Sequence, residues 1–85
     1  MITKDEFISE IKRKSEELRK LHPEYREGQA IFNAIDSDNN YLGVARQVQF
    51  KYNLDCFFDK NIDEFLDKCY EEYQKLYNTV NHAKY

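Results

Sequence analysis

Ile62-Asp63-Glu64-Phe65-Leu66-Asp67-Lys68-Cys69-Tyr70-Glu71-Glu72-Tyr73-Gln74-Lys75-Leu76-Tyr77-Asn78-Thr79-Val80 is written in the period of an α-helix. Phe65, Leu66, Cys69, Tyr70, Tyr73, Leu76, Tyr77 and Val80 recur three and four apart and share one face. Asp63, Asp67, Lys68, Glu71, Glu72 and Lys75 fall on the other. A helix with one apolar side has to bury it, and the partners available here are further helices. Its entry, Asn61-Ile62-Asp63-Glu64, reads as a capping box in which Asn61 and Glu64 satisfy each other's backbone amides.

At the other end of the chain Thr3-Lys4-Asp5-Glu6 is a second such box, flanked by Ile2 and Phe7 in the positions of a hydrophobic staple. The helix it opens carries Phe7, Ile8, Ile11, Leu18 and Leu21 as an apolar stripe interrupted by Lys14 and Ser15. It ends near His22, because Pro23 disfavours helical torsions in the residue before it. Between the long helices, residues 25–35 form a short helix in which Arg26, Gln29 and Asn33 make a polar stripe beside Ile31, Phe32 and Ile35. Asp36-Ser37-Asp38-Asn39-Asn40 is turn chemistry, with side chains that compete for backbone hydrogen bonds. Residues 41–49 read as a second short helix with Leu42, Val44, Ala45 and Val48 on its apolar side. Phe50 to Lys60 shows no clear period and reads as a loop pinned by Leu54, Phe57 and Phe58. The expected fold is therefore all-α: a bundle of four helices, two long (4–21 and 62–80) flanking two short (25–35 and 41–49).

The chain has 85 residues, too few to divide into two parts that each bury a core, so one domain is expected. Hydrophobic residues make up 41%, enough for a compact core beside a charged fraction of 34%. No apolar run of roughly 18 residues exists to span a membrane. No apolar signal segment precedes Cys56 and Cys69, which points to a reducing cytoplasm rather than to a disulfide. The formal charge is -3. Lys12, Arg13 and Lys14, the densest basic cluster, are interleaved with Glu10, Glu16 and Glu17, and this disfavours nucleic acid as a partner.

Several groupings carry residue types that chemistry uses. Asp36, Asp38 and Asn40 match the first three ligand positions of a calcium loop, but Tyr41 stands where the turn glycine belongs and Gln47 where a bidentate glutamate belongs. His22, Cys56, Cys69 and His82 lack the close spacing of a zinc site. Cys69 falls on an apolar helix face, and Cys56 follows Asp55, whose charge opposes a thiolate. No metal, cofactor or catalytic residue is expected. Asp55, Asp59, Asp63, Glu64 and Asp67 form an acidic run that suits the start of a helix and also a basic partner. Tyrosine combines contact area with a polar tip, and Tyr77 and Tyr85 are the better candidates for an interface. Arg26, Gln29, Asn33 and Asp55 make either a polar groove or an internal brace in which Gly28 lets another segment approach closely.

Arg26-Glu27-Gly28-Gln29-Ala30-Ile31-Phe32-Asn33, the loop Asp55-Cys56-Phe57-Phe58-Asp59 and the segment Ile62 to Leu66 together resemble a set of small bacterial and phage-type helical proteins. These carry an R-x-G-Q-A-(apolar)-F-N helix, a D-P-F-Y-D-like loop and an I-x-x-F-L helix. Here Cys56 replaces the proline and Phe58 the tyrosine. No activity is assigned to that set, so the resemblance implies a fold and a bacterial or phage origin. The expected function is a non-enzymatic, cytoplasmic protein-binding module that uses Asp59, Asp63, Asp67, Tyr77 and Tyr85, with a homodimer as one form it can take. An alternative is an immunity or anti-defence inhibitor that covers the basic groove of a nucleic-acid enzyme with its acidic face. A second is a small-ligand sensor built on Arg26, Gln29 and Asn33.

Overall fold

The computed structural model describes residues 2–54, 56 and 60–82, the last three by backbone alone. Among these residues there are four α-helices, one turn of 3-10 helix and no strand. The chain is all-α, as its periodicity indicates.

Helix α1 spans Lys4–Leu21. The Glu6 amide donates to the Thr3 hydroxyl at 3.2 Å, and the Thr3 amide donates to the Glu6 carboxylate at 3.0 Å. That closes the expected capping box and holds the Glu6 carboxyl below its ordinary range, chiefly through the Thr3 amide. Phe7, Ile11 and Ser15 are buried. Ser15, which seemed to break the apolar stripe, is accommodated because its hydroxyl donates to the Lys12 carbonyl at 2.8 Å. Leu21 leaves the stripe: on the helix's last residue it is 75% exposed.

Helix α2 spans Glu27–Asp36, two residues later in its start than the sequence indicates. Tyr25 instead closes the turn after Pro23: its amide donates to the His22 carbonyl at 3.0 Å and its ring stacks on the His22 ring at 4.6 Å. Gly28, Ala30, Ile31, Phe32, Ala34 and Ile35 are all buried, so α2 is the central element, with α1 packed along it.

The largest correction concerns residues 41–49. Asp38 caps a 3-10 turn, Asn39–Tyr41, by accepting from the Asn40 amide at 2.9 Å. Leu42 (φ 58°) and Gly43 (φ 72°) then both adopt the left-handed conformation, and helix α3 begins only at Val44, running Val44–Tyr52. Tyr41 is thereby separated from α3 and buried, edge-on to Phe7 at 5.2 Å and to Tyr73 at 5.4 Å. Phe50 to Tyr52 belong to α3, not to a loop.

Helix α4 spans Ile62–His82. Asn61 enters it at φ 59°, left-handed, rather than in the extended conformation that a capping box requires, and its carbonyl accepts from the Phe65 amide at 2.8 Å. Phe65, Leu66, Cys69, Tyr70 and Tyr73 are buried, with Leu76 and Tyr77 packed at the edge. Glu72, assigned to the polar face by periodicity, is also buried, at 4% exposure. The Tyr70 hydroxyl donates to the Ile2 carbonyl at 2.6 Å, and Lys4 meets Asp67 at 2.8 Å, tying the start of α1 to α4. The buried side chains of α1 to α4, with Tyr41 and Cys56, form one apolar cluster.

Candidate functional site

Val44, Ala45 and Val48 face the core from α3. At about 100° per residue, Phe50 lies about 200° from Val48 and so must point outward. It is 94% exposed, whereas Leu21 and Leu42 are the other exposed large apolar side chains among the described residues. Arg46, Gln47, Gln49, Lys51 and Asn53 surround it, all exposed.

Phe50 stands as a ridge between two open hollows. One, of about 610 Å³, is lined by Phe32, Arg46, Gln49, Phe50 and Asn53; the other, of about 380 Å³, by Arg46, Gln47, Phe50 and Lys51. Phe32, with 6% of its surface exposed, gives the larger hollow an apolar wall and stacks inward on Phe65 at 5.8 Å.

The two cations of this face are held by carboxylates of their own chain. The Arg46 Nε donates to both oxygens of Asp36 at 3.1 Å. The Lys51 ammonium donates to Glu72 at 3.1 Å, where the Tyr52 hydroxyl donates as well and Lys75 stands 3.6 Å away. The Tyr52 hydroxyl, and then Lys51, hold the Glu72 carboxyl below its ordinary range against the upward push of burial. The face is thus an exposed aromatic ring in a rim of neutral amides and internally paired charges.

A third hollow, of about 660 Å³, lies between α1 and the turn after α2, walled by Leu18, Leu21 and Ala34 and closed by Lys14, Asp38 and Asn40. Lys14 pairs with Asp38 and, at 3.2 Å, with Glu10, and its ammonium lies 5.5 Å from the Tyr41 ring centre. Asp38 raises the Lys14 pKa; burial opposes the lowering of Asp38, which Lys14 and the Asn40 backbone nevertheless achieve. Burial raises the Tyr41 phenol well above its ordinary range. These groups satisfy one another and lock the turn to α1.

The calcium-like spacing of Asp36, Asp38 and Asn40 is not a converging ligand set: Asp36 turns to Arg46 and Asp38 to Lys14. Among the described residues no group of three His, Cys, Asp or Glu side chains is placed to hold a metal ion. Cys56 and Cys69 are both buried, and burial pushes the Cys69 thiol far above its ordinary range.

Of the residues singled out for partner binding, Asp63 is exposed in the first turn of α4. Asp67 is engaged by Lys4 at 2.8 Å, and Tyr77 is half-buried against Tyr73 at 5.9 Å. Asp55, Asp59 and Tyr85 lie outside the described residues, as do Phe57 and Phe58. Arg26 is exposed at the N-cap of α2, while Gln29 and Asn33 are half-buried along that helix. Gly28 is buried, and the Cys56 thiol donates to its carbonyl at 3.3 Å.

Sequence reasoning missed Phe50. The signal was present in Val44, Ala45 and Val48, whose spacing turns position 50 to solvent once α3 is continued past Gln49. No family model, curated protein or solved structure matches the chain.

Proposed function

We propose that this chain is a non-enzymatic protein-binding module whose contact face is the outside of α3, centred on Phe50. The observation that carries the reading is the 94% exposure of Phe50 beside a hollow walled by Phe32. A phenylalanine fully covered in a complex contributes about 1.5–3 kcal/mol of hydrophobic free energy that an isolated chain forgoes. Aromatic anchors ringed by polar, water-excluding neighbours are the usual centres of protein interfaces. Gln47, Gln49 and Asn53 supply that rim. No helix among the described residues is long and apolar enough to cross a membrane, and a cytoplasmic setting is part of this reading.

This moves the binding face from the acidic start of α4, where it was expected, to α3. Asp67 and Tyr77 are occupied within the fold, and an exposed aromatic ring is a stronger anchor than solvated carboxylates. The inhibitor reading retains Asp63 and Glu64, both exposed in the first turn of α4. Binding through them would weaken steeply with added salt, whereas binding through Phe50 would not.

The test is photo-crosslinking from position 49, with a photoreactive side chain in place of Gln49, in purified protein and in an extract of the source cells. The reading expects a discrete protein adduct that disappears in the Phe50→Ala background. Absence of any protein adduct, or an adduct indifferent to Phe50→Ala, overturns it.

A further inference from the structure

We infer that the α3 face takes an acidic segment of another protein, one in which carboxylates flank an apolar side chain that covers Phe50. The inference rests on reading that face as a protein-docking surface, and it adds the chemistry of the partner.

Pairing within the chain satisfies the cations of this face without hiding them. The Arg46 side chain is 77% exposed against 21% for its partner Asp36. Lys51 is 57% exposed and Lys75 64%, against 6% for Glu72, which answers both. Three cations therefore meet solvent around two largely covered carboxylates, on a chain whose overall charge is -3. The face has the opposite sign to the molecule. An approaching carboxylate is attracted there, whereas an approaching cation, or the same face of a second copy, is repelled.

The donors that remain suit a carboxylate. Among the described residues the hydrogen bonds of the Arg46 side chain run from Nε to Asp36, so the fork of its two terminal amino groups can grip a further carboxylate with two bonds. Lys51 has three N–H groups and donates to Glu72. Arg46, Gln47, Phe50 and Lys51 line one hollow of about 380 Å³, so a single bound segment meets the ring and both cations together. Its apolar side chain covers Phe50, and its carboxylates fall on either side. A nucleic acid repeats its negative charge along its whole length, which a molecule of charge -3 repels beyond this face. With three cations against two carboxylates the excess is small. Phe50 thus supplies most of the affinity, the cations choose the partner, and added salt weakens binding only mildly.

The crosslink from position 49, read by sequencing the crosslinked peptide, tests this. The expected adduct depends on Phe50 and falls on a segment with carboxylates on both sides of an apolar residue. Gln47 is exposed beside the ring, and changing it leaves the ring and the ion pairs in place. In low salt Gln47→Lys should raise the yield of that adduct and Gln47→Glu lower it, each about two- to fivefold, the effect of one charge at an exposed site. A Phe50-dependent adduct on a basic or uncharged segment or on a second copy, or a yield that does not follow the sign of the charge at position 47, overturns the inference and leaves the docking face standing. An adduct that nuclease destroys, one indifferent to Phe50→Ala, or none at all removes both.

Discussion

Phe50 and Glu72 exchange the places that their chemistry suggests, an apolar ring in water and a carboxylate inside. For Phe50 the consequence is that Phe50→Ala should change the stability of the monomer by less than about 0.5 kcal/mol, as at other exposed positions, when urea unfolding is measured in dilute solution. Glu72 behaves oppositely. Its carboxylate accepts from the Tyr52 hydroxyl and Lys51, so Glu72→Gln should cost about 1–2 kcal/mol at pH 7. Because its folded pKa is depressed, this stabilisation is fully present above the unfolded value of about 4.3 and is lost as pH falls through the folded one. The difference between wild type and Glu72→Gln in urea unfolding should therefore shrink below about pH 4.3; a constant difference down to pH 2 would contradict the assignment. Periodicity puts Glu72 on the polar face and gives Phe50, at the start of a stretch without a clear period, no face at all. Glu72 sits on the boundary of the α4 stripe, where Tyr52 and Lys51 reach it from a helix 20 residues earlier, and no local pattern reports that.

The elements differ in how far local sequence decides them. Helix α1 was legible at both ends because its signals are local: the Thr3–Glu6 exchange at the start and Pro23 after the end. Thr3→Ala should cost about 1 kcal/mol in thermal or urea unfolding. The apolar side of α4 was equally legible, since its long period leaves no alternative register. The boundary between the 3-10 turn and α3 was not. Tyr41 and Leu42 extend an apparent helical stripe backwards, yet Tyr41 belongs to the Phe7–Tyr73 cluster and Leu42 is 39% exposed. Gly43 makes the break, at φ 72°. A Cβ added there meets no atom within 4 Å, so Gly43→Ala isolates the backbone cost and should destabilise by about 1–2 kcal/mol. A neutral effect would mean that the left-handed pair at positions 42 and 43 does not start α3.

In the whole molecule, the four helices close over one core in which Phe7 contacts Tyr41, Tyr70 and Tyr73. The inward sides of α3 and α4 serve that core, and the outward side of α3 is left with a bare ring. The site anticipated at Asp59, Asp63, Asp67, Tyr77 and Tyr85 rests on chemistry that suits an interface, but of its described residues Asp67 is engaged by Lys4 and Tyr77 by Tyr73 within the fold. The proposed face depends on what tertiary packing leaves uncovered, and the exposure of Phe50 follows only once α3 has its full length and orientation. The most direct test of the Phe50 face is photo-crosslinking from position 49 in an extract of the source cells. A discrete protein adduct should form and should vanish in the Phe50→Ala background. No protein adduct, or one that persists in Phe50→Ala, would contradict it.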